Sequence, residues 1–169
     1  MQEIATLLEP QIPGLRRYAW ALLRDDEAAD DLVQDTLERA IAHWAQRRPD
    51  ADLRAWLFAI QRNLFVSELR RRKRRGSQLG PDALDAIPAP DPRPDETAGL
   101  RDILAGLDAL PEEQRSVLLL VGVEDLSYEQ AARALGLPIG TVMSRLSRAR
   151  EKMRRFMDGG RGAVLRRIK

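Results

Sequence analysis

Hydroxyl and guanidinium side chains recur at intervals of three and four residues near the carboxyl end of the sequence. They fall on one side of a predicted helix: Thr141, Ser144, Arg145 and Arg148. Apolar side chains fall on the other side: Val142, Leu146, Ala149 and Met153. Arginine can reach guanine edges or phosphates, and short hydroxyl side chains suit contacts near the amino end of a helix. The pattern therefore predicts a DNA-binding helix.

The residues before this helix predict the turn that would present it. Ser127 and Gln130 are spaced as a capping box, in which each side chain binds the backbone N–H of the other residue. Gly136 can adopt the left-handed conformation that often ends a helix, and Pro138 suits the first turn of the next helix. This order is typical of a helix-turn-helix. The alternative is a helical hairpin with a solvated basic face.

A second cationic segment lies in the first half of the chain. Six consecutive cations run from Arg70 to Arg75, which exceeds what a helix end needs, and phosphate is the obvious anion to neutralise them. Arg62 precedes them on the same predicted helix, with Phe58 and Phe65. These two aromatic side chains either stack on unpaired bases or belong to the core. The loop between Ala45 and Asp52, which holds Arg47 and Arg48, is a weaker candidate for nucleic-acid contact.

Seven acidic residues lie between Asp25 and Glu38, on another predicted helix. The helical period turns Glu27, Asp31, Gln34, Asp35 and Glu38 away from the apolar stripe that contains Leu32, Leu37 and Ile41. Three interpretations are open: a solvated face, a docking face for a basic protein partner, or a carboxylate metal site. The metal site is disfavoured, since no histidine or glutamate pair is spaced to complete it.

The elements that position these residues are all predicted to be helices. Three apolar stripes before residue 66 predict a bundle of three amphipathic helices, with Pro10 and Pro13 interrupting the first. Between Gly80 and Ala98, five prolines lie among five acids, which no helix tolerates. This linker either tethers two domains that bind separate sites or joins two domains that pack together. Gly159 and Gly160 are expected to end the last helix, before a loose basic tail.

The composition excludes several classes of function. The 169-residue chain has no cysteine and one histidine, so a thiolate metal site, a cysteine nucleophile and a multi-histidine site are unavailable. No glycine-rich phosphate loop is present, and no nucleophile can be placed beside a base, so an enzyme is the least expected class. No apolar run approaches the roughly 20 residues that span a bilayer, and no secretory signal is evident. We expect a cytoplasmic protein without a cofactor, a metal or a small-molecule substrate.

Four segments together resemble a bacterial RNA polymerase sigma factor of the small, two-domain extracytoplasmic-function (ECF) group. They are AADDLVQDTLERAI at 28–41, LRAWLFAIQRNLFVSELRRR at 53–72, LPEEQR at 110–115 and LSYEQAARALGLPIGTVMSRLSRAREKMRR at 126–155. The resemblance implies an all-α fold with a region 2 bundle at residues 1–78, a linker at 79–99, a region 4 helix-turn-helix at 100–158 and a basic tail at 159–169.

The resemblance also implies partners for each surface. Asp31, Gln34, Asp35 and Glu38 would bind core RNA polymerase at its clamp helices. Arg62, Asn63, Arg70 and Arg71 would hold the downstream promoter element, including a base captured from the opening strand. Thr141, Ser144, Arg145 and Arg148 would read the upstream element. An anti-sigma factor would hold the protein inactive.

Two other interpretations compete with this one. A sigma-like decoy would bind an anti-sigma factor without binding DNA, and it would need neither the Arg70–Arg75 segment nor the cationic helix. A repressor or activator would use the same helix-turn-helix, usually as a dimer on paired half-sites, and would give the acidic helix no role.

Overall fold

Helices form wherever the sequence places apolar residues at helical spacing, and no strand occurs in the described chain. The computed structural model describes the backbone of residues 1–79 and 98–168, and the side chains of residues 1–76 and 98–159. The all-α prediction is confirmed. Residues 80–97, which make up most of the predicted linker, lie outside the described residues, and the predicted domain boundaries stay predictions.

The first unit contains four helices: α1 (Gln2–Leu8), α2 (Ile12–Leu23), α3 (Asp26–Ala42) and α4 (Leu53–Leu79). A short 3-10 segment, Glu9–Gln11, separates α1 from α2 at Pro10, as predicted from the prolines. A second 3-10 segment, Trp44–Gln46, follows α3. Asp25 caps α3 by accepting a hydrogen bond from the backbone nitrogen of Ala28 at 2.9 Å. Helices α2 and α3 pack against each other and against α4.

The core of this unit lies between α2, α3 and α4. Tyr18 of α2 meets Phe58 of α4 edge to face, with 5.5 Å between the ring centroids, and both side chains are 1% exposed. The apolar stripe predicted for α3 is partly wrong. Ile41 is 40% exposed, whereas Thr36 is buried and donates its hydroxyl to the Leu32 carbonyl at 2.7 Å. The buried side of α3 is therefore rotated toward Thr36.

The second unit contains α5 (Ala98–Asp108), α6 (Glu112–Gly122), most of α7 (Tyr128–Leu135) and α8 (Ile139–Ile168). Helix α8 packs against α5 and α6. Val117 and Leu120 of α6 are 0% exposed, as is Val142 of α8. At Gly106 a Cβ atom would lie only 2.9 Å from the Sδ atom of Met153, so glycine allows α5 to approach α8 closely.

The predicted end of α8 at Gly159 and Gly160 is wrong, because the helix continues to Ile168. Glycine costs about 1 kcal/mol relative to alanine inside a helix but keeps its backbone N–H, so it weakens a helix without breaking it.

Candidate nucleic-acid interface

The first turns of α8 separate buried from exposed side chains. Val142, Leu146 and Ala149 are at most 2% exposed. Ser144 and Arg148 are exposed on the other side of the helix. The cationic helix therefore has the two faces that its sequence predicts, with the apolar face fixed in the core of the second unit.

The four predicted contact residues of α8 differ in accessibility. Ser144 and Arg148 are exposed, whereas Thr141 and Arg145 are half-buried on one flank. The Ser144 hydroxyl donates to the carbonyl oxygen of Thr141 at 3.1 Å, so its own oxygen can still accept a hydrogen bond. Sequence reasoning missed Ser147, which is exposed between the same turns. Ser147 lies three residues after Ser144, so a helical period counted from Ser144 instead of Thr141 would have included it.

Positive charge dominates the start of α8. Arg145, Arg148 and Arg150 follow one another within six residues, and residues 139–150 contain no acid. The first acid of the helix, Glu151, pairs with the cations that follow it, Arg154 at 3.3 Å and Arg155 at 3.0 Å. The helix therefore leaves the charge before Glu151 without an acid of its own to balance it.

Hydrogen bonds at both ends of α7 fix the turn that presents α8. Ser127 Oγ accepts from the Gln130 backbone nitrogen at 3.1 Å, and Gln130 Oε1 accepts from the Ser127 backbone nitrogen at 2.8 Å. At the other end, Gly136 has φ +64° and the Leu137 nitrogen donates to the Ala132 carbonyl at 3.0 Å. These bonds form a capping box and a Schellman turn. The helix-turn-helix prediction agrees with this geometry.

The predicted surface of α4 is distributed over several sides of the helix. Asn63 and Arg70 are both exposed and lie seven residues apart, which is nearly two turns, so they share one side. Arg62 is half-buried on a flank. Arg71 is exposed but pairs with Glu68 at 2.7 Å. The structure thus brings Asn63 and Arg70 together and separates Arg62 and Arg71 from them.

The aromatic residues of α4 belong to the core. Phe58 is 1% exposed and Phe65 is 5% exposed, so neither ring can stack on a base, and of the two open interpretations the core is correct.

The loop before α4 is built around an arginine. Arg47 lies 4.9 Å from the ring centroid of Trp44, which meets Trp56 edge to face at 6.0 Å. Arg47 Nη1 also donates to the Ala51 carbonyl at 3.0 Å. Arg47 therefore holds the loop together, which differs from its prediction as a nucleic-acid contact, whereas Arg48 is exposed. The two tryptophans were the signal for this cluster.

The four predicted polymerase-binding residues of α3 are all exposed: Asp31, Gln34, Asp35 and Glu38. We call these four residues the acidic face. Within it, Gln34 Nε2 donates to Glu38 Oε1 at 3.1 Å, which links its last two turns. Among the described residues no group of three metal-ligating side chains is placed to hold an ion, and no described helix is long and apolar enough to cross a membrane.

The acidic face borders the cationic end of α4. Asp31 and Asp35 line one side of a groove whose other side includes Arg71, Arg72 and Glu68. A hydrogen bond from Arg71, reinforced by one from Arg72, holds the pKa of the Glu68 carboxyl below its usual value. Acidic and cationic side chains thus line the same groove of the first unit.

Comparison with known proteins identifies the family. The Sigma2 domain of PhyR matches residues 8–61, and Sigma-70, region 4 matches residues 100–153. The ECF RNA polymerase sigma factor EcfG of Rhodopseudomonas palustris (strain TIE-1) is 41% identical over 152 residues, which cover 88% of this chain and 82% of the relative. The chain belongs to the ECF sigma factors.

Solved structures agree with the assignment of this chain to the sigma factors. The sigma factor RpoE of Bartonella quintana, crystallised with the anti-sigma factor NepR, has a TM-score of 0.82 and 35% identity, over 94% of this chain and 98% of that chain. The anti-anti-sigma factor PhyR of Bartonella quintana, also crystallised with NepR, has a TM-score of 0.58 and 19% identity, over 88% of this chain and 48% of that chain. The second likeness is one of fold alone.

The matched regions cover the acidic face, the first half of α8 and only the start of α4. Region 4 includes Thr141 to Arg148, and the region 2 match includes Asp31 to Glu38 but ends at residue 61. The predicted downstream-element contacts of the sigma factor lie beyond the end of that match: Arg62, Asn63, Arg70 and Arg71.

Proposed function

We propose that this sigma factor binds core RNA polymerase, directs it to a promoter made of two separate elements, and helps to open the duplex. The observation that carries the proposal is the helix-turn-helix of α7 and α8, which exposes Ser144 and Arg148 on a surface whose helix supplies no acid before Glu151. The 41% identity to an ECF sigma factor supports a role for this surface in binding promoter DNA.

Helix α8 reads the upstream element. We assign base edges in the major groove to Ser144 and Arg148, because both are exposed opposite the buried face. We assign phosphates to Thr141 and Arg145, because both are half-buried on the flank. One bidentate arginine contact with guanine discriminates by about 1–3 kcal/mol, whereas a phosphate contact contributes affinity that falls with salt.

Helix α4 and the loop before it hold the downstream element. Asn63 and Arg70 share an exposed side of α4, which suits one strand of a duplex or an unpaired strand. Arg62 and Arg71 border this side. Because Phe58 and Phe65 are buried, base capture would depend on polar and cationic groups of α4 and on the loop that contains Arg48.

The acidic face binds core RNA polymerase. Asp31, Gln34, Asp35 and Glu38 are exposed on successive turns of α3, and their charge suits a basic partner. This assignment gives polymerase binding to the first unit and DNA binding by α8 to the second.

An anti-sigma factor regulates the protein. RpoE of Bartonella quintana, which matches this chain at a TM-score of 0.82, was crystallised with one. The decoy remains a second candidate, because the model for the Sigma2 domain of PhyR matches residues 8–61. The cationic surface of α8 favours the promoter-binding role, since a decoy needs no DNA contact.

The protein acts in the cytoplasm by binding and carries out no catalysis. Its partners are core RNA polymerase and promoter DNA, with an anti-sigma factor as an inhibitor, and it needs no cofactor or small-molecule substrate. The free energy of binding comes from polar contacts with the polymerase and with DNA.

Run-off transcription with core polymerase on a pooled genomic library tests the proposal. Adding the chain should produce discrete transcripts that core polymerase alone does not make. A variant with Arg148→Ala should lose most of them and still co-purify with core polymerase. Identical transcripts with and without the chain would overturn the proposal and favour the decoy.

A further inference from the structure

Two apolar side chains at the start of α8 are open to solvent. Ile139 is 42% exposed and Met143 is 50% exposed. They lie four residues apart, so their side chains follow one another along one side of the helix. That side adjoins the exposed Ser147, which lies between it and Arg148 on the helix surface. We call Ile139 and Met143 the apolar strip.

A glycine next to the strip leaves room for a close approach. A Cβ atom at Gly140 would meet nothing within 4 Å, and the backbone there does not require glycine. Glycine also disfavours a helix relative to alanine. Within the described part of the chain nothing therefore explains Gly140, whereas a partner that approaches the first turn of α8 closely would.

The charge around the apolar strip indicates the class of its partner. Arg145, Arg148 and Arg150 lie on the same stretch of helix, and residues 139–150 contain no acid. A polyanion complements this surface. In the major groove of duplex DNA, the apolar group on display is the C5-methyl group of thymine.

The spacing of the strip fits that partner. Four residues of helix advance about 6 Å, and successive base pairs of B-DNA are about 3.4 Å apart. The two side chains therefore span one to two base-pair steps.

We infer that Ile139 and Met143 contact the C5-methyl groups of thymines one or two steps apart in the upstream promoter element. The inference rests on the proposed role of α8 as the reader of that element. The arginines supply affinity and guanine contacts, and the apolar strip adds a preference for thymine over bases that lack the methyl group.

Uracil substitution tests the inference because it removes the methyl group and keeps every hydrogen-bonding group of thymine. The wild-type holoenzyme, assembled with core polymerase, first selects its preferred duplexes from a pool randomised across the upstream element. Each selected thymine is then replaced by uracil, one position at a time. At one or two positions, binding should weaken about fourfold, which corresponds to about 0.8 kcal/mol for one methyl group.

Alanine variants assign the effect to the strip. Ile139→Ala and Met143→Ala should each bind the thymine duplex more weakly and be insensitive to uracil at one of those positions. Val123→Ala is the matched control, because Val123 is an apolar residue of the same unit, 54% exposed, that lies outside α8. It should keep the full response to uracil. Thermal unfolding checks that each variant that assembles with core polymerase is folded.

The outcomes separate this inference from the proposed function. If the wild-type protein selects an upstream sequence but does not respond to uracil, or if both strip variants respond as fully as the wild type, the strip does not read thymine and the inference is wrong. If the wild-type holoenzyme selects no upstream sequence at all, both the inference and the proposed role of α8 are wrong.

Discussion

Replacing Arg115 by alanine should destabilise the second unit, although Arg115 is only half-buried. Its guanidinium group donates to the carbonyl oxygens of Leu107 at 2.9 Å and Leu110 at 3.0 Å, and to that of Asp108 at 3.3 Å. These carbonyls lie at and just after the end of α5, where a helix leaves acceptors to be satisfied by other groups. Arg115 therefore connects the end of α5 to α6.

The distances set the expected magnitude. A hydrogen bond that involves a charged group contributes about 1.5–3 kcal/mol. The bond to Asp108 is exposed and long, so it adds little, and water can replace part of the two shorter bonds. We expect a loss of about 2 kcal/mol, or about 30-fold more frequent opening of the unit, since 1.4 kcal/mol is a factor of ten.

Hydrogen exchange of α5 and α6, followed by mass spectrometry on the full chain, measures this opening. Arg101→Ala is the matched control, because it removes one cation from an exposed position of α5. Surface substitutions of that kind change stability by less than about 0.5 kcal/mol, or about twofold in exchange. Exchange in Arg115→Ala that stays within about twofold of Arg101→Ala would refute the role of the three hydrogen bonds.

Three further predictions concern the two proposed surfaces and the capping box of α7. Arg148→Ala should weaken holoenzyme binding to the upstream element by about 5- to 150-fold in a filter-binding titration, which corresponds to a loss of about 1–3 kcal/mol; an unchanged titration would remove Arg148 from the interface. Charge reversal at Asp31 and Asp35 should reduce association with core polymerase, and equal co-purification would contradict the acidic face. Ser127→Ala should lower stability by about 1 kcal/mol, measured by exchange in α7, and unaltered exchange would show that the capping box is dispensable.

The parts of the fold that depend on residues close together in the sequence were predictable. Ser127, Gln130 and Gly136 form the bonds that their order in the sequence predicts, because caps and turns are local structures. The two faces of α8 follow from spacing in the same way.

The parts that depend on packing were not predictable. Arg115 binds carbonyls five to eight residues away, which requires the angle between α5 and α6. Arg47 is drawn into a tryptophan cluster that only the loop geometry creates. Ile41 is exposed and Thr36 buried because the neighbouring helices, and not the apolar stripe alone, decide which side of α3 is covered.

Footprinting of the holoenzyme on a selected promoter, at saturating protein, tests the central claim that separate surfaces of one chain bind the polymerase and two promoter elements. Two protected blocks should appear upstream of the start site when the chain is added to core polymerase. Arg148→Ala should remove the upstream block and keep the downstream one. A single block, or loss of both blocks together in a variant that still binds polymerase, would contradict the account.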